Sequence, residues 1–247
     1  MALEFRDVVF RYNRKTTVLN GLDLRIDSPA TVLLGPNGAG KSTLMALAAS
    51  QLKSAHGTVN WKDRSPASRK DLTAYRKAVA WLPQQIIPVP GLTVRENVAY
   101  AGWLKGMNRT DAWNASAATL ARVGLSKLAD RRSHQVSGGQ LRRMGIAGAL
   151  THHSELILMD EPTAGLDPTQ RKVFRSVLEQ LADDVQIIVS THQTEDLADL
   201  YQHVIVLDQG TVRFHGTTIQ FHATTDNGQG PRERAEAAYA QLVGEEI

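Results

Sequence analysis

The sequence has no cysteine among its 247 residues, which excludes disulfide bonds, thiolate nucleophiles and cysteine-ligated zinc. It also lacks a long hydrophobic run. Its longest uncharged stretch, residues 78–94, is broken by three prolines and two glutamines and is too short to span a bilayer. The opening residues 1–7 mix acidic and basic side chains, unlike the apolar segment of a secretion signal. We therefore expect a soluble protein, with any membrane-spanning segment supplied by another chain.

An excess of charge of one sign is absent as well. The 28 Lys and Arg residues barely outnumber the 25 Asp and Glu residues, and the formal net charge is +3. Nucleic-acid-binding domains usually carry a clustered basic face, whereas basic pairs such as Arg142-Arg143 are typical of solvated helix surfaces. We expect no nucleic-acid partner. We also expect His152 and His153 to lie on the surface without forming a metal pair, because adjacent residues on a helix do not face each other.

The apolar pattern predicts an α/β protein. Continuous apolar runs at residues 31–34, 156–159 and 187–189 are typical of strands buried on both faces, and each is followed by a helical pattern. This β-α-β alternation predicts a mostly parallel sheet. Alternating apolar residues over 3–26 predict an antiparallel N-terminal hairpin. Residues 88–149 contain helical patterns but no buried-strand run, so we expect an inserted helical subdomain there.

The C-terminal part predicts a closing β-hairpin over residues 203–215 and a last helix. That helix would begin at Pro231, a residue well suited to the first helical position, and would end at Gly244. We expect one large domain over residues 1–216, followed by a C-terminal loop and short helix over residues 217–247.

A glycine-rich segment follows the first buried run and has the spacing Gly-x-x-x-x-Gly-Lys-Ser. Glycines let the backbone wrap an anion with its N–H groups pointing inward, and the positive end of the following helix favours phosphate. In such a loop Lys41 reaches the β- and γ-phosphates of ATP, and the Ser42 hydroxyl ligates Mg²⁺. The predicted nucleotide-binding residues are Gly35, Pro36, Asn37, Gly38, Ala39, Gly40, Lys41, Ser42 and Thr43.

Two adjacent carboxylates follow the second buried run. Asp160 and Glu161 would lie at the carboxyl edge of the sheet, where ligands bind in open α/β folds. Asp160 can hold Mg²⁺ through water, and Glu161 can act as the general base on the attacking water. An acidic pair in this place could also serve only to cap a helix. Its position downstream of a phosphate-binding loop favours the catalytic interpretation.

The segment Val136 to Gln140, Val-Ser-Gly-Gly-Gln, resembles the signature motif of ABC ATPases, which usually begins with leucine. The resemblance covers about residues 3–216. It implies a P-loop NTPase core with a mostly parallel central sheet, an N-terminal antiparallel β-subdomain and an inserted helical signature subdomain at about residues 88–149. The change to Val136 precedes the signature and should affect packing rather than phosphate contacts.

The resemblance also implies roles for four residues outside the loop and the acidic pair. Tyr12 would stack on adenine, Gln84 would be the glutamine that contacts Mg²⁺, Asp167 would lie in the D-loop, and His192 would contact the γ-phosphate. Gln85 competes with Gln84 for the glutamine role, and the position directly after Pro83 favours Gln84.

The signature segment can form a second anion-binding nest from the Ser137 side chain and glycine N–H groups. Within one subunit this nest would lie too far from the first loop to share a phosphate, and the family solution is a head-to-tail dimer. The nest of one chain would then cap the γ-phosphate that is held by the loop of the other. The nest residues are Ser137, Gly138, Gly139 and Gln140.

These features predict the ATP-binding and hydrolysing subunit of an ABC transporter, with ATP and Mg²⁺ at the site. Its partners would be a second ABC subunit and a transmembrane permease, which would dock near Gln84 and residues 85–92 at the cytoplasmic face of the membrane. The segment 160–168 together with the tail 235–244 resembles two-component exporters, and importers and lipid or peptide extruders are the alternatives within the family. The alternatives are a soluble ABC ATPase acting on nucleic acids or in translation, and a P-loop kinase. The first usually needs coiled-coil insertions, cysteines or a second cassette, and the second leaves the signature segment unexplained.

Overall fold

The computed structural model describes residues 2–13, 15–194, 200–225 and 230–244. In these ranges the strands form two β-sheets. One is a three-stranded sheet of order β2-β1-β4, and the other is a six-stranded sheet of order β5-β6-β7-β3-β8-β9. The strands are β1 (Leu3–Arg11), β2 (Thr17–Ile26), β3 (Ala30–Leu34), β4 (His56–Trp61), β5 (Val79–Leu82), β6 (Leu156–Asp160), β7 (Gln186–Thr191), β8 (His203–Asp208) and β9 (Thr211–Thr217).

Helices cover the sheets and form most of the segment between β5 and β6. Within the described ranges, no helix has the combination of length and apolar character that crossing a bilayer requires. The helices are α1 (Lys41–Ala48), α2 (Leu72–Ala78), α3 (Val94–Leu104), α4 (Arg109–Arg122), α5 (Gly138–Thr151), α6 (Pro168–Leu181), α7 (Thr218–His222) and α8 (Pro231–Val243).

The smaller sheet is antiparallel, as the N-terminal pattern predicted. Strand β1 pairs with β2 on one side and with β4 on the other. Strand β4 was not predicted from the sequence, because only Val59 and Trp61 of its six residues are buried apolar side chains. The sheet packs its apolar face on α1 and α2 and on one face of the larger sheet.

The larger sheet is mostly parallel and confirms the predicted α/β class. Neighbours from β5 to β8 run parallel, and β9 closes the edge as the antiparallel partner of β8. Strand β3 shows why the buried runs were continuous. Val32 and Leu34 pack toward the helices α3 to α6, whereas Leu33 packs toward the smaller sheet. Both faces of the strand are therefore covered, as the apolar run predicted.

The prediction that His152 lies on the surface was wrong. His152 follows the last turn of α5 and is only 2% exposed, and its Nδ1 lies 3.2 Å from the Gly148 carbonyl oxygen. Its neighbour His153 is exposed. Adjacent side chains at a helix end point in different directions, so one of the two imidazoles faces the core while the other faces solvent.

The prediction of a solvated basic pair at Arg142 and Arg143 was wrong too. Both side chains are half-buried on α5. Arg142 donates a hydrogen bond to the Ala164 carbonyl oxygen at 2.6 Å, and Arg143 donates one to the Val123 carbonyl oxygen at 2.9 Å. Each guanidinium therefore links α5 to a neighbouring loop.

The C-terminal part follows the predicted course where the structure describes it. Strands β8 and β9 form a hairpin, Pro231 is in the first turn of α8, and Gly244 follows its last residue with a φ of 78°. Helix α8 buries Ala235 and Ala238 against the rest of the fold. Residues 226–229 and 245–247 of the predicted C-terminal segment lie outside the described residues.

Candidate functional site

The glycine-rich loop lies between the end of β3 and the start of α1, and its three glycines are required by backbone conformation or by space. Gly38 and Gly40 have φ values of 83° and 103°, in the left-handed region that favours glycine. At Gly35 the constraint is space, since a Cβ there would lie 2.2 Å from the Leu207 carbonyl oxygen of β8. The loop can therefore turn tightly against the sheet and present backbone N–H groups at the N-terminus of α1.

Lys41 is a nearly buried cation at the start of α1. Its Nζ donates hydrogen bonds to the carbonyl oxygens of Gly35 at 2.6 Å and Pro36 at 3.0 Å. Glu161 Oε1 lies 3.9 Å from the same nitrogen. Burial lowers the pKa of Lys41, while the negative charges of Glu161 and Asp160 raise it and so oppose that effect. The ammonium group thus lies between the glycine-rich loop and the acidic pair.

The acidic pair is buried and held by the neighbouring strand β7. Ser190 Oγ donates a hydrogen bond to Asp160 Oδ1 at 2.5 Å, and Glu161 Oε1 lies 2.9 Å from His192 Nδ1. Glu161 has a φ of 47°, a left-handed conformation that is uncommon for residues other than glycine. Its backbone N–H donates to the Ser190 carbonyl oxygen at 3.0 Å. The structure therefore brings Lys41, Glu161 and His192 into one chain of polar contacts.

The strand order explains this convergence. Strands β5, β6, β7 and β3 are neighbours in the parallel sheet, so their carboxyl ends lie along one edge. Gln84 follows β5, Glu161 follows β6, His192 follows β7, and Gly35 follows β3. Residues far apart in the chain thus meet at the edge where ligands bind in open α/β folds.

Two predicted site residues lie at the margin of this cluster. Tyr12 is 61% exposed, and its hydroxyl lies 3.1 Å from Thr43 Oγ1, which places its ring beside the phosphate-loop helix. Gln84 is exposed, and in the described part of the chain no hydrogen bond joins it to Ser42 or Asp160.

The signature segment begins helix α5. Ser137 is its N-cap: Ser137 Oγ accepts a hydrogen bond from the Gln140 N–H at 3.3 Å, and Gln140 Oε1 accepts one from the Ser137 N–H at 2.9 Å. This reciprocal capping box uses two of the free N–H groups at the helix start. Ser137 and Gly138 are exposed. The positive end of α5 therefore faces solvent at Ser137 and Gly138.

The structure places the signature segment against α6 and not against the glycine-rich loop. A Cβ at Gly139 would lie 2.4 Å from Gln170 Oε1, so any side chain there would require the Gln170 side chain to move. Asp167 is the N-cap of α6, where its side chain accepts a hydrogen bond from the Gln170 N–H at 2.8 Å. Among the described residues, no hydrogen bond joins the segments 137–140 and 35–43. Within the described part of the chain, the two predicted anion-binding segments are therefore not joined by a hydrogen bond.

The residues at this edge suit Mg²⁺. No group of three or more metal-binding side chains occurs in the ranges that the structure covers. Mg²⁺ is commonly held by one or two carboxylates together with hydroxyl, water and substrate phosphate oxygens. The exposed Ser42 hydroxyl and the buried Asp160 carboxylate are donors of that kind.

Ser190 belongs to the cluster but was not predicted as a site residue. The sequence shows it only as the residue two positions before His192. Its contacts depend on the pairing of β6 with β7, which puts Ser190 directly opposite Asp160. No local pattern in the sequence specifies that register, so the serine could not be assigned from the sequence.

Comparisons with known proteins identify the family to which this chain is similar. The family profile described as ABC transporter matches residues 19–164. The energy-coupling factor transporter ATP-binding protein EcfA of Methanothermobacter thermautotrophicus is 33% identical over 224 residues, which cover 88% of this chain and 71% of that protein. The linearmycin resistance ATP-binding protein LnrL of Bacillus subtilis is 31% identical, over 87% of this chain and 69% of that protein.

Solved structures show the same architecture. CbiO1 from Clostridium perfringens, part of the ABC transporter complex CbiONQ, superposes with a TM-score of 0.78 at 27% identity, over 90% of each chain. The dimeric bacterial ABC transporter cassette MJ0796 superposes with a TM-score of 0.76 at 26% identity, over 87% of this chain and 98% of that one. The same cassette has also been solved as a dimer in a post-hydrolysis state with ADP and phosphate.

Proposed function

Because this chain belongs to the ABC transporter family, in which it is an ATP-hydrolysing subunit, we propose that two such subunits close head to tail around two Mg-ATP molecules and drive a separate transmembrane subunit. The observation that carries the proposal is the chain of contacts from Lys41 to Glu161 to His192 at the carboxyl edge of the sheet. These residues are a phosphate-binding cation, a carboxylate base and an imidazole, the groups that phosphoryl transfer to water needs.

Each residue has a defined part in the proposed reaction. Lys41 and the glycine-rich loop hold the phosphates, and Glu161 accepts a proton from the attacking water. The water oxygen bonds to the γ-phosphorus as the bond to the β-γ bridging oxygen breaks, which yields ADP and phosphate. His192, beside Glu161, contacts the γ-phosphate. Mg²⁺, held by Ser42 and Asp160 with Gln84 nearby, would offset the charge of the phosphate oxygens.

The dimer is supported by the separation of the two anion-binding segments within one chain. The nest of residues 137–140 is exposed at Ser137 and Gly138, so its ligand can come from another subunit. In the proposed dimer this nest caps the γ-phosphate bound by residues 35–43 of the partner, and Asp167 lies at the interface. Contacts made only in the closed dimer shift the population toward it, and hydrolysis removes them.

Domain organisation and adenine binding complete the proposal. Residues 1–216 form the ATPase domain, with the helical signature subdomain at about 88–149, and residues 217–247 form a C-terminal appendage. Tyr12 stacks on the adenine ring. Its exposed ring beside α1 supports this role, because the base must extend away from a phosphate chain that is held at the start of that helix.

A permease docking surface is proposed at residues 85–92 and the facing side of α3. A cleft of about 360 Å³ lies between this segment, β5 and the helices α3 and α5. Ile87 is 84% exposed, and Tyr100 and Leu104 on α3, which line the same cleft, are also exposed. Clustered exposed apolar side chains mark protein interaction sites. This surface would hold the protein at the cytoplasmic face of a membrane, and the relatives named as transporter ATP-binding proteins support that partner class.

A titration of protein concentration tests the proposal. Phosphate release per chain should rise with protein concentration, should require Mg²⁺, and should disappear when EDTA is added. Lys41→Ala should weaken ATP binding, whereas Lys172→Ala, a change of an exposed lysine on α6, should not. Full turnover by a chain that stays monomeric with ATP bound would contradict the dimer. ATP affinity unchanged in Lys41→Ala would contradict the assigned loop.

A further inference from the structure

The hydroxyl of Ser190 is fully buried between the two carboxylate residues of the site. It donates a hydrogen bond to Asp160 Oδ1 at 2.5 Å and accepts one from the Glu161 backbone N–H at 3.3 Å. The Ser190 carbonyl oxygen accepts from the same N–H at 3.0 Å. One serine therefore contacts the residue assigned to the metal and the residue assigned as general base.

The sheet register places this serine at the centre of the site. Ser190 on β7 lies opposite Asp160 on β6 and opposite Leu33 on β3, the strand that leads into the glycine-rich loop. Side chains of residues in register on neighbouring strands extend to the same face of a sheet. The hydroxyl is therefore fixed by a strand whose backbone is paired on both sides, and it has little freedom to move away from Asp160.

Each contact has a physical consequence. The Asp160 carboxylate is buried, and a hydrogen bond from a hydroxyl to a carboxylate is short and strong, so it fixes the orientation of the group. The backbone of Glu161 has a φ of 47°, a conformation that persists only where surrounding contacts hold it. The shared hydrogen bond from its N–H to Ser190 is such a contact. The Glu161 carboxylate, held in this way, lies within hydrogen-bonding distance of His192.

We propose that Ser190 is a positioning residue for ATP hydrolysis: its hydroxyl orients Asp160 for the metal and, together with the Ser190 carbonyl oxygen, holds Glu161 in the left-handed conformation that directs its carboxylate to His192. This inference rests on the proposed function. It assigns Ser190 no contact with substrate, so its effect must pass through the metal and through the base.

The test compares Ser190→Ala with the wild-type chain in two measurements. One is kcat and KM for Mg-ATP. The other is the affinity for Mn²⁺ in the presence of a non-hydrolysable ATP analogue, which needs no turnover. Loss of one hydrogen bond to a charged group predicts that kcat and Mn²⁺ affinity each fall by about 10- to 100-fold. The affinity for the analogue without metal should change by less than about 2-fold, since the loop residues are untouched.

Ser154→Ala is a matched control. Ser154 is also buried, and its hydroxyl donates a hydrogen bond to the Ala149 carbonyl oxygen at 2.8 Å, away from the site. Its removal should lower thermal stability without changing kcat or Mn²⁺ affinity. Ser190→Thr, which keeps a hydroxyl on the same strand, should recover most of both quantities. If Ser190→Ala folds poorly, Ser190→Cys, whose thiol is a weak donor, should fall clearly below Ser190→Thr.

The outcomes separate this proposal from the proposed function. An active wild-type chain together with an unaltered Ser190→Ala, or equal values for Ser190→Cys and Ser190→Thr, would overturn the role of Ser190 alone. A loss in Ser190→Ala that matches the loss in Ser154→Ala would show a general effect on stability and would also overturn it. A wild-type chain that neither hydrolyses ATP nor binds Mn²⁺ with the analogue would overturn the proposed function, and this inference with it.

Discussion

At the scale of single residues, Glu161 combines a strained backbone conformation with a carboxylate in the site. A left-handed conformation costs a residue other than glycine about 1–3 kcal/mol. Here it is held by the hydrogen bonds from the Glu161 N–H to Ser190 and by the turn in which the Ala164 N–H donates to the Glu161 carbonyl oxygen at 3.2 Å. Both contacts involve the backbone, so a change of the side chain alone should leave the geometry in place.

Glu161→Gln should therefore remove proton transfer while leaving the backbone geometry of the site in place. The amide keeps the shape of the side chain but cannot accept the proton of the attacking water, so turnover should fall by about 10² or more while ATP still binds. Phosphate release and size-exclusion chromatography with ATP would measure this, and the variant should accumulate as an ATP-bound dimer. Glu179→Gln, a change of an exposed acid on α6, is the control. Turnover near the wild-type value would show that Glu161 is not the base.

The lowered pKa of the buried His152 predicts that the stability of the protein depends on pH. Burial, helped by the positive charge of Lys105, lowers the pKa of His152 to about 4 from the ordinary value of 6.5. Between these two values the unfolded chain binds more protons than the folded chain. The free energy of unfolding should therefore fall as the pH is lowered from 6.5 to 4, by at most about 3 kcal/mol from this group.

Denaturant titrations across that pH range would measure the effect. His152→Gln should flatten the dependence, because it removes the group that titrates. His153→Gln should retain the wild-type slope, since its imidazole is exposed. Equal slopes for the two variants would contradict the assignment to His152.

At the scale of elements, α3 and the segment after β5 carry side chains that the fold does not cover. Tyr100 and Trp103 stack with their ring centroids 5.6 Å apart, on the surface of α3. Helix α3 is otherwise well anchored, because Thr93 and Glu96 form a capping box at its start and Val98 is buried. The apolar surface is therefore part of a rigid element, and its exposure fits a contact with a partner.

Ile87→Asp should weaken attachment to the membrane. A charge in the middle of an apolar contact loses the burial of the side chain and leaves a carboxylate without a partner. The amount of protein recovered with sedimented membranes of the native cell should fall by about 10-fold, a change of about 1.4 kcal/mol. Ile219→Asp is the control, since Ile219 is 82% exposed but lies on α7, away from this cleft. Equal recovery of the two variants would contradict docking at residues 85–92.

At the scale of the whole molecule, the proposed ATP site takes residues from two chains. Lys41, Glu161 and His192 lie at the carboxyl edge of the central sheet, while Ser137 faces solvent at the start of α5. Helix α5 is joined to α6 through the contact of Gly139 with Gln170, and its Arg142 reaches Ala164. The signature segment and the loop before α6 therefore belong to one surface, which would face the second subunit in the proposed dimer.

Mixing two inactive variants tests that arrangement. Ser137→Arg blocks the nest, and Lys41→Ala disables the loop, so each homodimer should lack activity. A heterodimer of the two should retain one intact composite site, formed by the loop of the first chain and the nest of the second. Phosphate release per heterodimer should then reach at most about one half of the wild-type value. Full activity in the mixture, or an active Ser137→Arg homodimer, would contradict the shared site.

The sequence by itself determined the features that depend on local spacing. The loop at residues 35–43 is recognisable because its glycines, lysine and serine stand at fixed spacings within one short segment. Strand β6, which leads into Asp160 and Glu161, is recognisable because a strand that is buried on both faces must be apolar throughout. Pro231 and Gly244, which mark the start and the end of α8, are recognisable because each acts at its own position in the chain.

The tertiary structure alone decided what depends on pairing between distant segments. Strands β4 and β5 are too short and too little patterned to stand out, and they become strands because their neighbours supply hydrogen bonds. The side of α5 that faces the core decides that His152 is buried, and the register of β6 against β7 decides that Ser190 meets Asp160. Backbone pairing and packing act across long stretches of chain, so no window of the sequence contains them.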